Sequence, residues 1–139
     1  MHKNVLITGG AGFIGSHLAT RLLNEGGWNI TIIDDLNDFY SPDVKRANLR
    51  EIAEHGTFEL VEADIRDAER LASVFETKAF DCIVHLAARA GVRPSLSEPK
   101  LYCATNINGT LNLLELARDH KVPQFVFGSS SSVYGINSK

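Results

Sequence analysis

Val5 to Ser16 reads VLITGGAGFIGS, an apolar run that breaks into three spaced glycines, Gly9, Gly12 and Gly15, and resumes as an amphipathic helix. A short buried strand, Val5–Ile7, delivers the chain to a turn where residues without a Cβ let backbone come close to a pyrophosphate. The first helical turn, with Phe13 and Ile14, then directs its free N–H groups and positive dipole end at that anion. Glycine-rich turns are common, and a tight strand-to-helix turn without a ligand is the plain alternative. The context strengthens the cradle reading: a strand before, a helix after, and an acid about 20 positions on.

Ile14, Leu18 and Leu22 recur every four residues, Leu23 widens the stripe, and Gly26-Gly27 ends the helix. Ile30–Ile33 then makes a second strand closing on Asp34 and Asp35. A carboxylate at that tip accepts hydrogen bonds from the adenosine ribose hydroxyls and repels a 2′-phosphate, favouring NAD over NADP. Capping of the loop by Asp34 is the competing reading.

Outward from this unit, strands and helices alternate. Ser41-Pro42 opens a helix carrying Val44, Leu49 and Ile52 and ending near Gly56. Phe58–Val61 is a third strand, Asp67 caps a helix with Leu71, Val74 and Phe75, and Phe80–Leu86 is a fourth strand. A long helix is predicted from about Tyr102 to His120, with Leu111, Leu113 and Leu114 on its apolar side, followed by strand five at Phe125–Phe127. The alternation predicts an α/β, Rossmann-type, doubly wound parallel sheet in the order 3-2-1-4-5. Ligands bind at the carboxyl ends, where the winding reverses between strands one and four. No repeat, low-complexity tract or linker divides residues 1–139, which read as one domain.

Composition excludes several functions. The chain has 139 residues, of which 44% are hydrophobic and 22% charged, enough for one domain with a core. Its 14 basic and 17 acidic residues give a net charge of -3, with no basic cluster, which argues against nucleic acid as a partner. No apolar run approaches the roughly 20 residues of a membrane span and no signal-peptide core is present, so a cytoplasmic protein is expected. Cys82 and Cys103 lack metal-ligand spacing and are expected to be reduced packing residues; no metal site is predicted.

Several motifs in register carry a resemblance: TGGAGFIG (Thr8–Gly15), Asp34, ADIR (Ala63–Arg66), HLAA (His85–Ala88), NINGT (Asn106–Thr110) and SSSSVYG (Ser129–Gly135). Together they resemble the extended short-chain dehydrogenase/reductase family over almost the whole chain. Within it the chain is similar to the NAD-dependent nucleotide-sugar 4-epimerases. AARAGVRPS (Ala87–Ser95) and the serine run look most like UDP-glucuronate 4-epimerases.

The resemblance implies roles that each residue can be checked against. Asp64 would accept from the adenine amino group while Ile65 packs on the ring; a strand-end cap is the alternative. Leu86, Ala87 and Ala88 would let backbone approach the nicotinamide ribose and phosphates. Asn106 would hold either main chain or cofactor. Ser130 would be the catalytic serine on the sugar C4 oxygen, with Ser129 and Ser131 helping to hold the substrate, unless the run is merely a polar loop. Arg89 and Arg93 could meet a diphosphate or a uronate carboxylate, or be solvated surface arginines. His85 reads as structural, because no carboxylate is placed to make it a base. Relatives that dehydrate their sugar carry Asp-Glu at the positions of Ser131 and Ser132, and related decarboxylases carry Glu at that of Ser132.

One departure bears on activity. The family's Tyr-x-x-x-Lys pair is missing, since Tyr134 and Lys139 are separated by four residues rather than three and Tyr134 matches the earlier Val-Tyr-Gly position. The expectation is therefore the N-terminal NAD-binding portion of an epimerase, truncated after strand five and inactive alone, whose nucleotide-sugar contacts need a C-terminal half. UDP-glucose or UDP-N-acetylhexosamine epimerases and sugar-nucleotide dehydratases are rival enzymes. A non-catalytic dinucleotide-binding or interaction module is the rival of another kind. Self-association through the long helix or the strand-five edge is expected.

Overall fold

The computed structural model describes residues 2–136, so Lys139 of the expected pair comparison lies outside the described residues. Five strands, β1 (Lys3–Thr8), β2 (Trp28–Asp34), β3 (Glu59–Glu62), β4 (Cys82–His85) and β5 (Gln124–Phe127), form one sheet in the order β3-β2-β1-β4-β5. Every neighbouring pair is parallel, with Val5 opposite Ile30 on one side and Cys82 on the other. The predicted order is thus the observed one.

Alternation along the strands splits the core in two. Leu6, Ile33, Val61 and Ile83 face α3 (Ala68–Thr77) and α6 (Thr110–Asp119), whose Leu71, Val74, Phe75 and Leu113 fill that side. Val5, Ile7, Ile30 and Ile32 face α1 (Phe13–Glu25) and α2 (Pro42–His55), which supply Ala19 and Ile52. Each such fully buried aliphatic side chain stabilises the fold by about 1.5–3 kcal/mol. Local signals set the helix starts: the Ser41 hydroxyl accepts from Asp43 N at 3.3 Å ahead of Pro42, and Asp67 Oδ1 accepts from Arg70 N at 2.9 Å.

Three expectations need correction. The long helix begins at Pro99, as α5 (Pro99–Cys103), and runs through a π turn (Ala104–Gly109) into α6. Its inner face is fixed at Gly109, where a Cβ would come 2.7 Å from the Ile65 side chain. One helical turn on from Gly109 is buried Leu113 and another is Ala117, which leaves Leu111 and Leu114 half exposed rather than on the packed side. Ahead of the long helix, a short helix, α4 (Val92–Ser97), occupies a stretch to which the sequence reading assigns no element; it has no buried residue and contains Pro94. Cys82 is buried, but Cys103 is exposed rather than placed in the core. At the sheet edge, β5 pairs only with β4 among the described residues, and its Val126 and Phe127 are exposed. Among the described residues no helix is long and apolar enough to cross a membrane.

Candidate functional site

The carboxyl ends of β1 and β4 lie side by side, Thr8 opposite His85, and the glycine turn leaves the sheet there. Gly9 has φ +71°, and a Cβ on it would sit 2.8 Å from Ala87 N. Only glycine gives both that conformation and that contact. Gly15 is closed in by the same turn: a Cβ would fall on the Gly9 carbonyl oxygen and 2.7 Å from Gly10 Cα. Gly12 caps α1 with no side-chain acceptor, so the N–H groups of the first turn at Phe13, Ile14 and Gly15 are left for a ligand. The side chains of Phe13 and Ile14 are themselves exposed.

A cleft of about 140 Å³ joins this turn to Asp34, Asp35 and the Leu86–Ala90 loop, with Phe39, Tyr40 and Lys45 completing its wall. Asp34 is 6% exposed and already engaged: it accepts from Ala11 N at 3.1 Å and Leu36 N at 3.0 Å, and pairs with Lys45 Nζ at 3.5 Å. Lys45 is itself 5% exposed, lies 3.9 Å from Asp35 and stands over the Tyr40 ring at 5.1 Å. Burial and the Asp34 charge together push the Tyr40 hydroxyl above its ordinary pKa. Sequence reasoning missed Lys45, because a lysine on an amphipathic helix normally reads as solvated; its i+11 relation to Asp34 is no local signal.

At the end of β3, Asp64 is clasped by its neighbour, accepting from Arg66 N at 2.8 Å and from Arg66 Nε at 2.9 Å. The hydrogen-bonded guanidinium holds the Asp64 carboxyl below its usual value. Ile65 does not face this rim: its side chain is buried in the core against Gly109.

On the other side of the Leu86–Ala90 loop lies a larger cleft of about 660 Å³, between that loop, Tyr102, Asn106 and the segment after β5. Ser129, Ser130 and Ser132 line it, whereas Ser131 does not. Ser130 Oγ accepts from Ser132 N at 3.1 Å, opening a 3-10 turn (Ser131–Tyr134). Arg89 borders both clefts, while Arg93 is exposed and borders neither. The Asn106 amide grips main chain, accepting from Arg89 N at 2.7 Å and donating to Arg89 O at 2.9 Å. A third cleft of about 580 Å³ opens at the amino ends of the strands, around Asn4, Thr31 and Lys78. Among the described residues, none that line it is a glycine.

His85 is 1% exposed beneath the site. Burial drives its pKa from 6.5 down to about 4. The unfolded chain therefore binds more protons than the folded one between those values. The stability this neutral histidine confers is complete above pH 6.5 and is lost as pH falls through that window, by about 3 kcal/mol. Chemical denaturation between pH 7 and 4 should show a slope that His85→Phe flattens; equal slopes would contradict it.

Residues 6–139 match the sequence model of the family described as GDP-mannose 4,6 dehydratase. UDP-glucuronate 4-epimerase 1 of Arabidopsis thaliana is 43% identical over 98% of this chain and 32% of its own length. The chain thus spans about a third of that relative. Among solved structures, a UDP-glucuronic acid 4-epimerase variant from Bacillus cereus, in complex with UDP-4-deoxy-4-fluoro-glucuronic acid and NAD, superposes with a TM-score of 0.88 at 34% identity. That match covers 98% of this chain and 43% of the other. A UDP-glucose-4-epimerase from Stenotrophomonas maltophila, with bound NAD and formylated UDP-arabinopyranose, gives 0.86 at 36% identity, over 99% of this chain and 40% of the other. With residues 6–139 of the chain matching that model, and the glycine turn, strand order and serine segment all present, the chain belongs to the GDP-mannose 4,6 dehydratase family.

Proposed function

We propose that this chain is the NAD-binding portion of a nucleotide-sugar 4-epimerase, with UDP-glucuronate as substrate. The observation that carries the reading is the glycine turn pressed against Ala87 backbone, which leaves a Cβ-free cradle between the α1 N-terminus and the Leu86–Ala90 loop. A diphosphate fits it by charge and by donor geometry. Asp34, Asp35 and Lys45 together hold one negative charge at the ribose end, which favours a free 2′-hydroxyl over a 2′-phosphate. Asp64 and Arg66 form the adenine rim.

NAD, when bound, supplies a hydride acceptor and donor for carbon 4 of the sugar. The chain's own part is positioning. Ser130 would hydrogen-bond the C4 oxygen, with Ser129 and Ser132 at its sides, and the Arg89 guanidinium suits a diphosphate or uronate carboxylate. Arg89 is the only charged lining residue of this cleft among the described residues. That favours epimerisation over dehydration, which needs a further acid or base at the sugar.

Calorimetry on the chain should show NAD binding at least about tenfold tighter than NADP binding. No NAD binding at millimolar concentration would overturn the cofactor assignment. In the full-length protein, Ser130→Ala should lower kcat for UDP-glucuronate epimerisation about 100-fold with little change in NAD affinity. Unchanged kcat would remove Ser130 from the site.

A further inference from the structure

The strongest feature outside the proposed chemistry is a continuous chain of hydrogen bonds under the two clefts. Thr110 donates its hydroxyl proton to Asn106 O at 2.7 Å. Its oxygen, 2.8 Å from His85 Nε2, must then accept, so the imidazole proton sits on Nε2. Nδ1 is left bare and takes the hydroxyl proton of Thr8 at 2.6 Å. Thr8 Oγ1 in turn accepts from Leu86 N and Ala87 N, each at 3.3 Å. The chain closes through Asn106, which grips both backbone groups of Arg89. Leu86 N is shared with the Thr8 carbonyl at 3.1 Å, every other donor has one acceptor, and a single tautomer satisfies all of them.

We propose that His85 is a positioning residue, clamped as its Nε2–H tautomer between Thr8 and Thr110, that ties the Leu86–Ala90 loop to the π turn and so sets the wall between the two clefts. The proposal rests on the cofactor reading above and extends it to the nicotinamide end. Three further observations support it. The His85 ring stacks on Phe127 at 5.7 Å, just ahead of the serine run, so the same side chain also touches the third wall. The ring is neutral, as the bare Nδ1 requires. The π turn also leaves Thr105 Oγ1 buried without a partner, a cost tolerated where the turn brings Asn106 and Thr110 to the loop.

A packing histidine would act on ADP and NAD alike, whereas a wall-setting one, although the Leu86–Ala90 loop also flanks the diphosphate cradle, acts far more on the nicotinamide half. The test compares NAD with ADP, which keeps the adenosine and diphosphate but lacks the nicotinamide riboside. Calorimetry on His85→Phe, which keeps the ring against Phe127, should show ADP affinity within about twofold of the unsubstituted chain and the NAD advantage over ADP reduced about tenfold. Thr110→Val should move in the same direction, and Thr110→Ser, which keeps the hydroxyl, should restore the advantage. Parallel loss of ADP and NAD affinity in Thr110→Val, or no loss in either, would overturn the positioning role.

Amide hydrogen exchange keeps the proposal testable if the chain binds neither nucleotide, in which case the cofactor reading falls alone. Exchange at Ala87 and Arg89 should accelerate about tenfold in Thr110→Val and recover in Thr110→Ser. Unaltered protection at both amides would overturn the link itself.

Discussion

Gly15→Ala is expected to abolish NAD binding by this chain while leaving a folded but weakened protein. The added Cβ would land on the Gly9 carbonyl oxygen and 2.7 Å from Gly10 Cα, both backbone atoms that no side-chain rotation can clear. Either α1 lifts from the sheet or the Gly9–Gly12 turn opens, and the overpacking costs about 1–3 kcal/mol. Binding suffers more than stability, because the turn and the first-turn N–H groups together form the cradle. Losing two hydrogen bonds to a charged diphosphate, each about 1.5–3 kcal/mol, lowers affinity at least about 100-fold. Gly27→Ala is the control, since a Cβ there meets nothing within 4 Å; it strains a φ of +79° but should leave NAD affinity unchanged. Calorimetry and urea denaturation of both variants decide it, and near-normal NAD affinity in Gly15→Ala would place the cofactor elsewhere.

That prediction draws on the part of the molecule most legible in the sequence. The strands are apolar runs bounded by turn residues, and the caps at Ser41 and Asp67 are local hydrogen bonds between residues two or three apart. The glycines of the turn sit where their missing side chains are needed by residues nearby in sequence, except that Gly9 also answers to Ala87. Local rules recover such features because their partners lie within one turn or one loop. The sheet order followed from the handedness of the crossovers alone.

What could not be read depends on partners far along the chain. The π turn has no sequence signature: it exists because Asn106 and Thr110 must meet Arg89 and His85 at once. Asn106 was read with two possible partners, and only the fold selects main chain. Ile65, expected at the adenine, is claimed by the core because Gly109 opposite it has no side chain. Leu111 and Leu114 fit an apolar stripe as well as Leu113 does, until Gly109 fixes which side faces the sheet. The burial of Lys45 is the largest omission, since hydrophobic periodicity is blind to a charged residue that packs.

Lys45→Met should therefore destabilise the chain strongly, by about 3 kcal/mol, lowering Tm by about 10 °C for a domain of this size. The substitution preserves volume, so the loss measures charge: Asp34 is left 6% exposed with Ala11 N and Leu36 N as its remaining donors. If the pair is the source, Asp34→Asn in the Lys45→Met background should recover a large part of the loss, because neither charge is then stranded. The same variants probe cofactor choice. Removing the ammonium leaves two carboxylates, Asp34 and Asp35, facing the ribose end, so the preference for NAD over NADP should widen in Lys45→Met and shrink in Asp34→Asn. Raised salt should blunt both shifts only slightly, since the pair is buried and poorly screened. Equal stability of Lys45→Met and the unsubstituted chain would mean that solvent reaches Asp34 more freely than its burial implies, and that the ribose end is held by Asp35 alone.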